Sequence, residues 1–107
     1  MISTYLTDQI DIIQTSYDIH GGLTETTISD VAARVEDINS LVNDSEGKEV
    51  TANMLVIINN RELRPQWKIK IKIKNGRAYY QPNKKWEILA FEQLNMMGLE
   101  SHIEIKI

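Results

Sequence analysis

The segment Trp67-Lys68-Ile69-Lys70-Ile71-Lys72-Ile73-Lys74 alternates apolar and basic residues without a break. Successive side chains of a strand point to opposite faces, so Trp67, Ile69, Ile71 and Ile73 share one face and Lys68, Lys70, Lys72 and Lys74 the other. Asn75-Gly76 follows, the dipeptide that best tolerates the positive φ angles of a two-residue hairpin turn, and Arg77-Ala78-Tyr79-Tyr80 reads as the return strand. The C-terminus repeats the logic: Ile103, Ile105 and Ile107 alternate with His102, Glu104 and Lys106, a strand with one buried face.

Other segments are shorter or mixed. Glu49 to Ile58 ends in the β-branched run Met54-Leu55-Val56-Ile57-Ile58, which predicts a central strand. In Trp86–Met97 the first half reads as a strand with Trp86, Ile88, Ala90 and Glu92 on one side, and Gln93–Met97 is left open. Ile10–Tyr17 and Leu23–Ile28 flank Asp18-Ile19-His20-Gly21-Gly22 as a hairpin would. Ile28–Val42 is two-sided. Ile28, Val31, Val35, Ile38 and Val42 recur at helical steps, whereas Val31, Ala33 and Val35 alternate as in a strand, and the pattern alone favours the helix. Turn residues at Gly21-Gly22, residues 43–47, Asn59-Asn60, Asn75-Gly76 and residues 81–83 cut the chain into short pieces, the rhythm of an all-β fold. The expectation is a small single-domain antiparallel β-barrel or sandwich over residues 1–107.

Composition narrows the function classes. The chain has 107 residues, 42% hydrophobic and 25% charged, ordinary values for a globular domain. With no cysteine it carries no disulfide framework, thiolate metal site or cysteine nucleophile. No apolar run approaches the roughly 20 residues of a membrane-spanning helix, and Met1–Tyr5 lacks the basic and apolar stretches of a secretion signal. The net charge of −3 is unevenly laid out. Residues 1–60 hold ten carboxylates against Arg34 and Lys48, and residues 61–107 hold ten bases against five acids. Oppositely charged halves either neighbour one another within the fold or meet other copies through complementary faces.

Candidate chemistry is sparse. His20 and His102 stand alone, without a second ligand at metal-binding spacing, and read as solvated residues. No serine lies in a nucleophile elbow and no glycine-rich loop is built to hold phosphate. No catalytic residue, cofactor or metal is expected. The Lys68, Lys70, Lys72, Lys74 face spaces its charges roughly 6.6 Å apart, a spacing that suits a phosphate backbone, with Tyr79 and Tyr80 as stacking rings. The same lysines also serve as the solvent face of a half-buried strand, and the acidic balance of the chain favours that reading. Asp37, Asp44, Glu46 and Glu49 gather around Asn39–Gly47 with Lys48 opposing them, either as a solvated connection or as carboxylates crowning a hole.

The order of several motifs carries more than any one of them. His20-Gly21-Gly22 is followed by Ala33-Arg34-Val35-Glu36, then by Glu46-Gly47-Lys48-Glu49-Val50, the apolar Val56-Ile57-Ile58, Gly76-Arg77-Ala78-Tyr79 and finally His102-Ile103-Glu104-Ile105. This succession, spread over most of the chain, resembles the head-closure proteins of long-tailed bacteriophages, also termed stoppers, head-tail adaptors or small minor capsid proteins. The resemblance implies a small β-barrel or sandwich with a long inter-strand loop, and turns Ile28–Val42 from helix to a strand through about Asp37 followed by that loop. It implies no catalysis and no membrane. Copies would form a homo-oligomeric ring in the virion neck, assembled after synthesis in the host cytoplasm. Portal and adaptor proteins would lie above the ring, tail proteins below, and packaged double-stranded DNA would pass through. The matching loop is Asn39–Glu49, with Asp44, Glu46 and Glu49 as groups that repel phosphate and Gly47 as the flexible point. A tail terminator or other neck ring, and an OB-like module binding single-stranded nucleic acid through the lysine strand, are the alternatives.

Overall fold

Eight strands, all paired antiparallel, form from the residues that the structure, a computed structural model, describes: 6–43, 46–94 and 101–107. They are β1 (Asp8–Tyr17), β2 (Leu23–Asn43), β3 (Glu49–Asn59), β4 (Lys68–Lys74), β5 (Arg77–Ala78), β6 (Trp86–Glu87), β7 (Ala90–Leu94) and β8 (His102–Lys106). They make one sheet in the order β5-β4-β1-β2-β3-β8-β7, with β6 also on β4. The fold class is therefore all-β, as the punctuation of the chain predicts.

The sheet curls around a single main core. Ile10 and Ile12 of β1, Ala33 and Val35 of β2, Val56 and Ile58 of β3, Ile69 and Ile71 of β4 and Ile105 of β8 are all fully buried in it. Each such isoleucine or valine contributes about 1.5–3 kcal/mol by leaving water. Trp86–Leu94 reaches both ends of the sheet. Its β6 pairs with β4, the Leu89 amide donates to the Lys106 carbonyl at 2.9 Å, and β7 pairs with β8. The ladder is thus wrapped but not closed into a barrel. The partner change also breaks the expected face: Trp86 and Ile88 pack on the core, whereas Ala90 and Glu92 align with Lys106 and Glu104. Of the segment left open, Gln93 and Leu94 belong to β7, and residues 95–97 lie outside the described residues.

The Asn75-Gly76 hairpin forms as its dipeptide demands, with φ of 54° and 75°. Its return strand is shorter than expected. β5 holds Arg77 and Ala78, after which the Tyr79 amide donates to the Lys72 carbonyl at 2.9 Å.

Ile28–Val42 is neither a helix nor a strand that stops near Asp37. It is part of one strand of 21 residues that runs to Asn43. Two β-bulges explain the misleading spacing. Ile28 pairs with Ile12 and Val31 with Ile10, so Ser29 and Asp30 together face Asp11. Asp37 pairs with Met54 and Ser40 with Ala52, so Ile38 and Asn39 together face Asn53. Each extra residue turns a two-residue step between same-face positions into a three-residue step, which mimics a helix. The extension of β2 also shortens the connection to β3, so of the long inter-strand loop expected at Asn39–Glu49 only residues 44–48 lie between strands.

Candidate functional site

β4 does not carry its four lysines on one face. Gln9 pairs with Ile73 while Ile10 pairs with Ile71, leaving Lys72 as an extra residue. Neighbours on β1 point to opposite faces, so Ile73 is turned away from Ile71 and lies outside the core cluster. Lys74 is turned the other way, its side chain only 16% exposed, and it ion-pairs with Asp37 of β2. Lys72 stands 3.8 Å from Asp11, whose other carboxylate oxygen accepts the Asp30 amide of the β2 bulge at 3.1 Å. Lys70 lies across from Asp11 in register, and Lys68 across from Glu87. Beyond the strand, Lys85 pairs with Glu25 at 3.2 Å. The basic strand is interleaved with carboxylates, which is where the opposite charges of the two chain halves meet.

The other candidate group sits where β2 turns into β3. Gly47 takes φ 78°, a conformation that favours glycine, and Glu46, Gly47 and Glu49 are exposed. Glu49 opens β3 opposite Asn43, and Asp44 lies outside the described residues. Glu46 and Lys48 line a cleft of about 360 Å³ with Pro65–Lys68 and Glu87–Leu89. The structure therefore joins the two candidate groups at one point, since Lys68 borders the same cleft as Glu46. The rim of that cleft carries two acids and two bases, Glu46 and Glu87 with Lys48 and Lys68. Asp37, grouped with the loop by sequence proximity, is placed instead with Lys74.

One polar position, Asp8, is missed by sequence reasoning, and others are placed differently from expectation. Asp8 is 2% exposed and accepts two amides, from Val35 at 2.9 Å and Gly76 at 3.3 Å. The signal was present, because Asp8, Ile10 and Ile12 share a face. His102, expected to be solvated, is buried, with Nε2 3.8 Å from the Glu104 carboxylate and Nδ1 without a partner among the described residues. His20 is exposed in the hairpin turn, as expected. Tyr79 packs at the edge of the core beside Tyr80, ring centroids 4.8 Å apart. Burial, the hydrogen bond to Tyr80 and the nearby Asp37 carboxylate push its hydroxyl up to about 12. Among the described residues no group of three His, Cys, Asp or Glu side chains is placed to hold a metal ion.

The arrangement offers charged rims, strand edges and turns. Comparison with family models, with curated proteins and with solved structures finds no match for this chain.

Proposed function

We propose that this chain is a ring-forming structural subunit of a bacteriophage neck, a head-closure or stopper protein that seals the filled capsid and docks the tail. One observation carries the reading: the ordered motifs of the resemblance fall one by one on successive elements of an all-β chain. The Gly turn is the β1–β2 hairpin, Ala33–Glu36 lies in β2, Gly47-Lys48-Glu49 links β2 to β3, the apolar run is β3, the Gly76–Tyr79 motif is the β4–β5 hairpin and His102–Ile105 lies in β8. In a ring, the connection bearing Asp44, Glu46, Gly47 and Glu49 faces the channel. Its carboxylates disfavour close approach of phosphates, and the contacts of each copy are multiplied by closure.

The nucleic-acid alternative draws less support. Lys72 and Lys74 each face a carboxylate and Lys68 lies opposite Glu87, so β4 lacks an uninterrupted positive track. The test is cryo-electron microscopy of intact particles, which should show a ring of this chain between capsid and tail. Particles that carry none of it overturn the proposal. In particles that assemble, Glu46→Lys with Glu49→Lys should alter retention of packaged DNA while leaving the ring in place.

A further inference from the structure

Three of the most exposed large apolar side chains belong to one hairpin tip: Tyr17 at 76%, Ile19 at 95% and Leu23 at 58%. Tyr17 and Leu23 are cross-strand partners, and Ile19 sits in the turn between them. The tip ends a two-stranded arm, because β1 pairs with β4 only as far as Ile13 and β2 pairs with β3 only from Ala33. Among the described residues no backbone hydrogen bond reaches the outer edge of β2 over Leu23–Ala32. An unpaired edge is a template for another strand, and proteins ordinarily blunt such edges with lysine or proline. Leu23-Thr24-Glu25-Thr26-Thr27-Ile28 contains neither, and its threonines and isoleucine favour strands.

Charge indicates what fits there. Residues 8–33 hold no lysine or arginine, and of their carboxylates Asp18, Glu25 and Asp30 are exposed while Asp8 and Asp11 are buried. At the first position in the sheet order, β5 pairs only with β4, and it is followed by a turn region with Lys84, Lys85 and the 79% exposed Tyr80. With Arg77 this segment is basic, aromatic and open along its outer edge. Within one chain Lys85 is already held by Glu25 at 3.2 Å, which leaves Arg77 and Lys84 to meet Asp18 and Asp30 of another copy.

We infer that the arm of one copy docks on the Arg77–Lys85 segment of the next copy. Tyr17, Ile19 and Leu23 pack on Tyr80, and the open β2 edge takes Arg77–Gln81 as an added strand. The contact joins two different surfaces, so it repeats head to tail and closes into a ring when the rotation allows. The inference deepens the ring reading and rests on it for the neighbour being another copy.

The chain has no cysteine, so single-cysteine variants report contacts without background. Ile19→Cys and Tyr80→Cys chains, mixed at about 1 mM so that even a weak contact is populated, should form a mixed disulfide dimer on mild oxidation. Adding Leu23→Asp to the Ile19→Cys chain should lower that yield about tenfold, the loss expected for one apolar anchor. A Leu41→Cys chain, exposed at the opposite hairpin, should give little product with Tyr80→Cys. Equal yield from Leu41→Cys, or no mixed dimer at all, overturns the docking. The ring reading fails on a different result, the absence of the chain from the particle neck.

Discussion

The carboxylate of Asp8 accepts the main-chain N–H of Val35 at 2.9 Å, a buried bond between residues 27 positions apart. Its second oxygen takes the Gly76 amide at 3.3 Å, so one side chain ties β1 to β2 and to the β4–β5 turn. β2 runs past the end of β1 pairing here, since Ala33 is the last residue of β2 in register with β1. Without Asp8 the Val35 amide is left buried and unpaired. Asp8→Ala should therefore cost about 2–3 kcal/mol, more than a typical hydrogen bond, because the orphaned donor stays out of water. Asp8→Asn keeps one acceptor and should recover part of the loss. Urea denaturation of the three chains measures both differences.

The bulge at Ser29-Asp30 is the place where the amino-acid pattern misleads. Asp30 has φ 57°, and its amide is held by Asp11. Aspartate is among the residues that accept this left-handed region, whereas a β-branched side chain is an outlier there. Asp30→Gly should be neutral or slightly stabilising. Asp30→Val should cost about 1–2 kcal/mol by the strain of a left-handed residue. Thermal denaturation separates the two. The contrast with the Asn75-Gly76 hairpin is physical. There the turn residues and the alternation agree, and the element is legible up to the bulge at Lys72. In β2 the two extra residues reset the alternation, and the pairing partners on β1 and β3 show why Ile28, Val31 and Val35, spaced as in a helix, belong to a strand.

The β1–β2 turn is closed by two main-chain hydrogen bonds between Asp18 and Gly21-Gly22 and by the Asp18 side chain. Asp18 Oδ1 accepts the amides of His20 at 2.8 Å and Gly22 at 2.7 Å. A Cβ on Gly22 would lie 2.7 Å from Asp18 Oδ2, so Gly22→Ala must push that carboxylate away. Hydrogen exchange at the His20 and Gly22 amides should accelerate, and the chain should lose about 1 kcal/mol, the usual net worth of such bonds. Gly21 takes φ 79°, so any side chain there is strained, and Gly21→Asn should cost less than Gly21→Ala because asparagine is among the residues that enter the left-handed region.

The lysine strand shows what one-dimensional spacing leaves out of a candidate site. Lys68, Lys70, Lys72 and Lys74 are evenly placed in sequence, yet their surroundings are set by strands that arrive from residues 8–43 and 86–87. Asp11 and Asp37 come from that acidic half, and Glu46 reaches the same cleft as Lys68 through the β2–β3 connection. None of these partners is near β4 in sequence. Lys72 is half-exposed and stands 3.8 Å from the buried Asp11 carboxylate, which keeps the Asp30 amide as a partner when the lysine is removed, so Lys72→Ala should cost about 1 kcal/mol. Labelled oligonucleotide should show no retention by the native chain that falls steeply with salt, the signature of phosphate binding. Filter binding across a salt series checks this, and steep salt-dependent retention would restore the nucleic-acid reading.

Tyr79 makes stability depend on alkaline pH in one direction. Its hydroxyl is raised from an ordinary value of 10.0 to about 12 in the folded chain, through burial first and then through Tyr80 and Asp37. The raised value means that the folded state keeps a proton which the unfolded chain releases as pH passes 10. The stabilisation is complete below that point and is lost progressively as pH climbs towards 12. The loss from this one group is about 2–3 kcal/mol, by the linkage of two pKa units to free energy. Tyr79→Phe has no proton to lose. Lysines titrate in the same window in both chains, so the difference between the native chain and Tyr79→Phe reports the Tyr79 hydroxyl together with its hydrogen bond to Tyr80. Denaturation curves at pH 9, 10, 11 and 12 should show the native chain losing ground to the variant at each step above 10. A constant difference across the series would mean that the hydroxyl is not held in its protonated form by the fold.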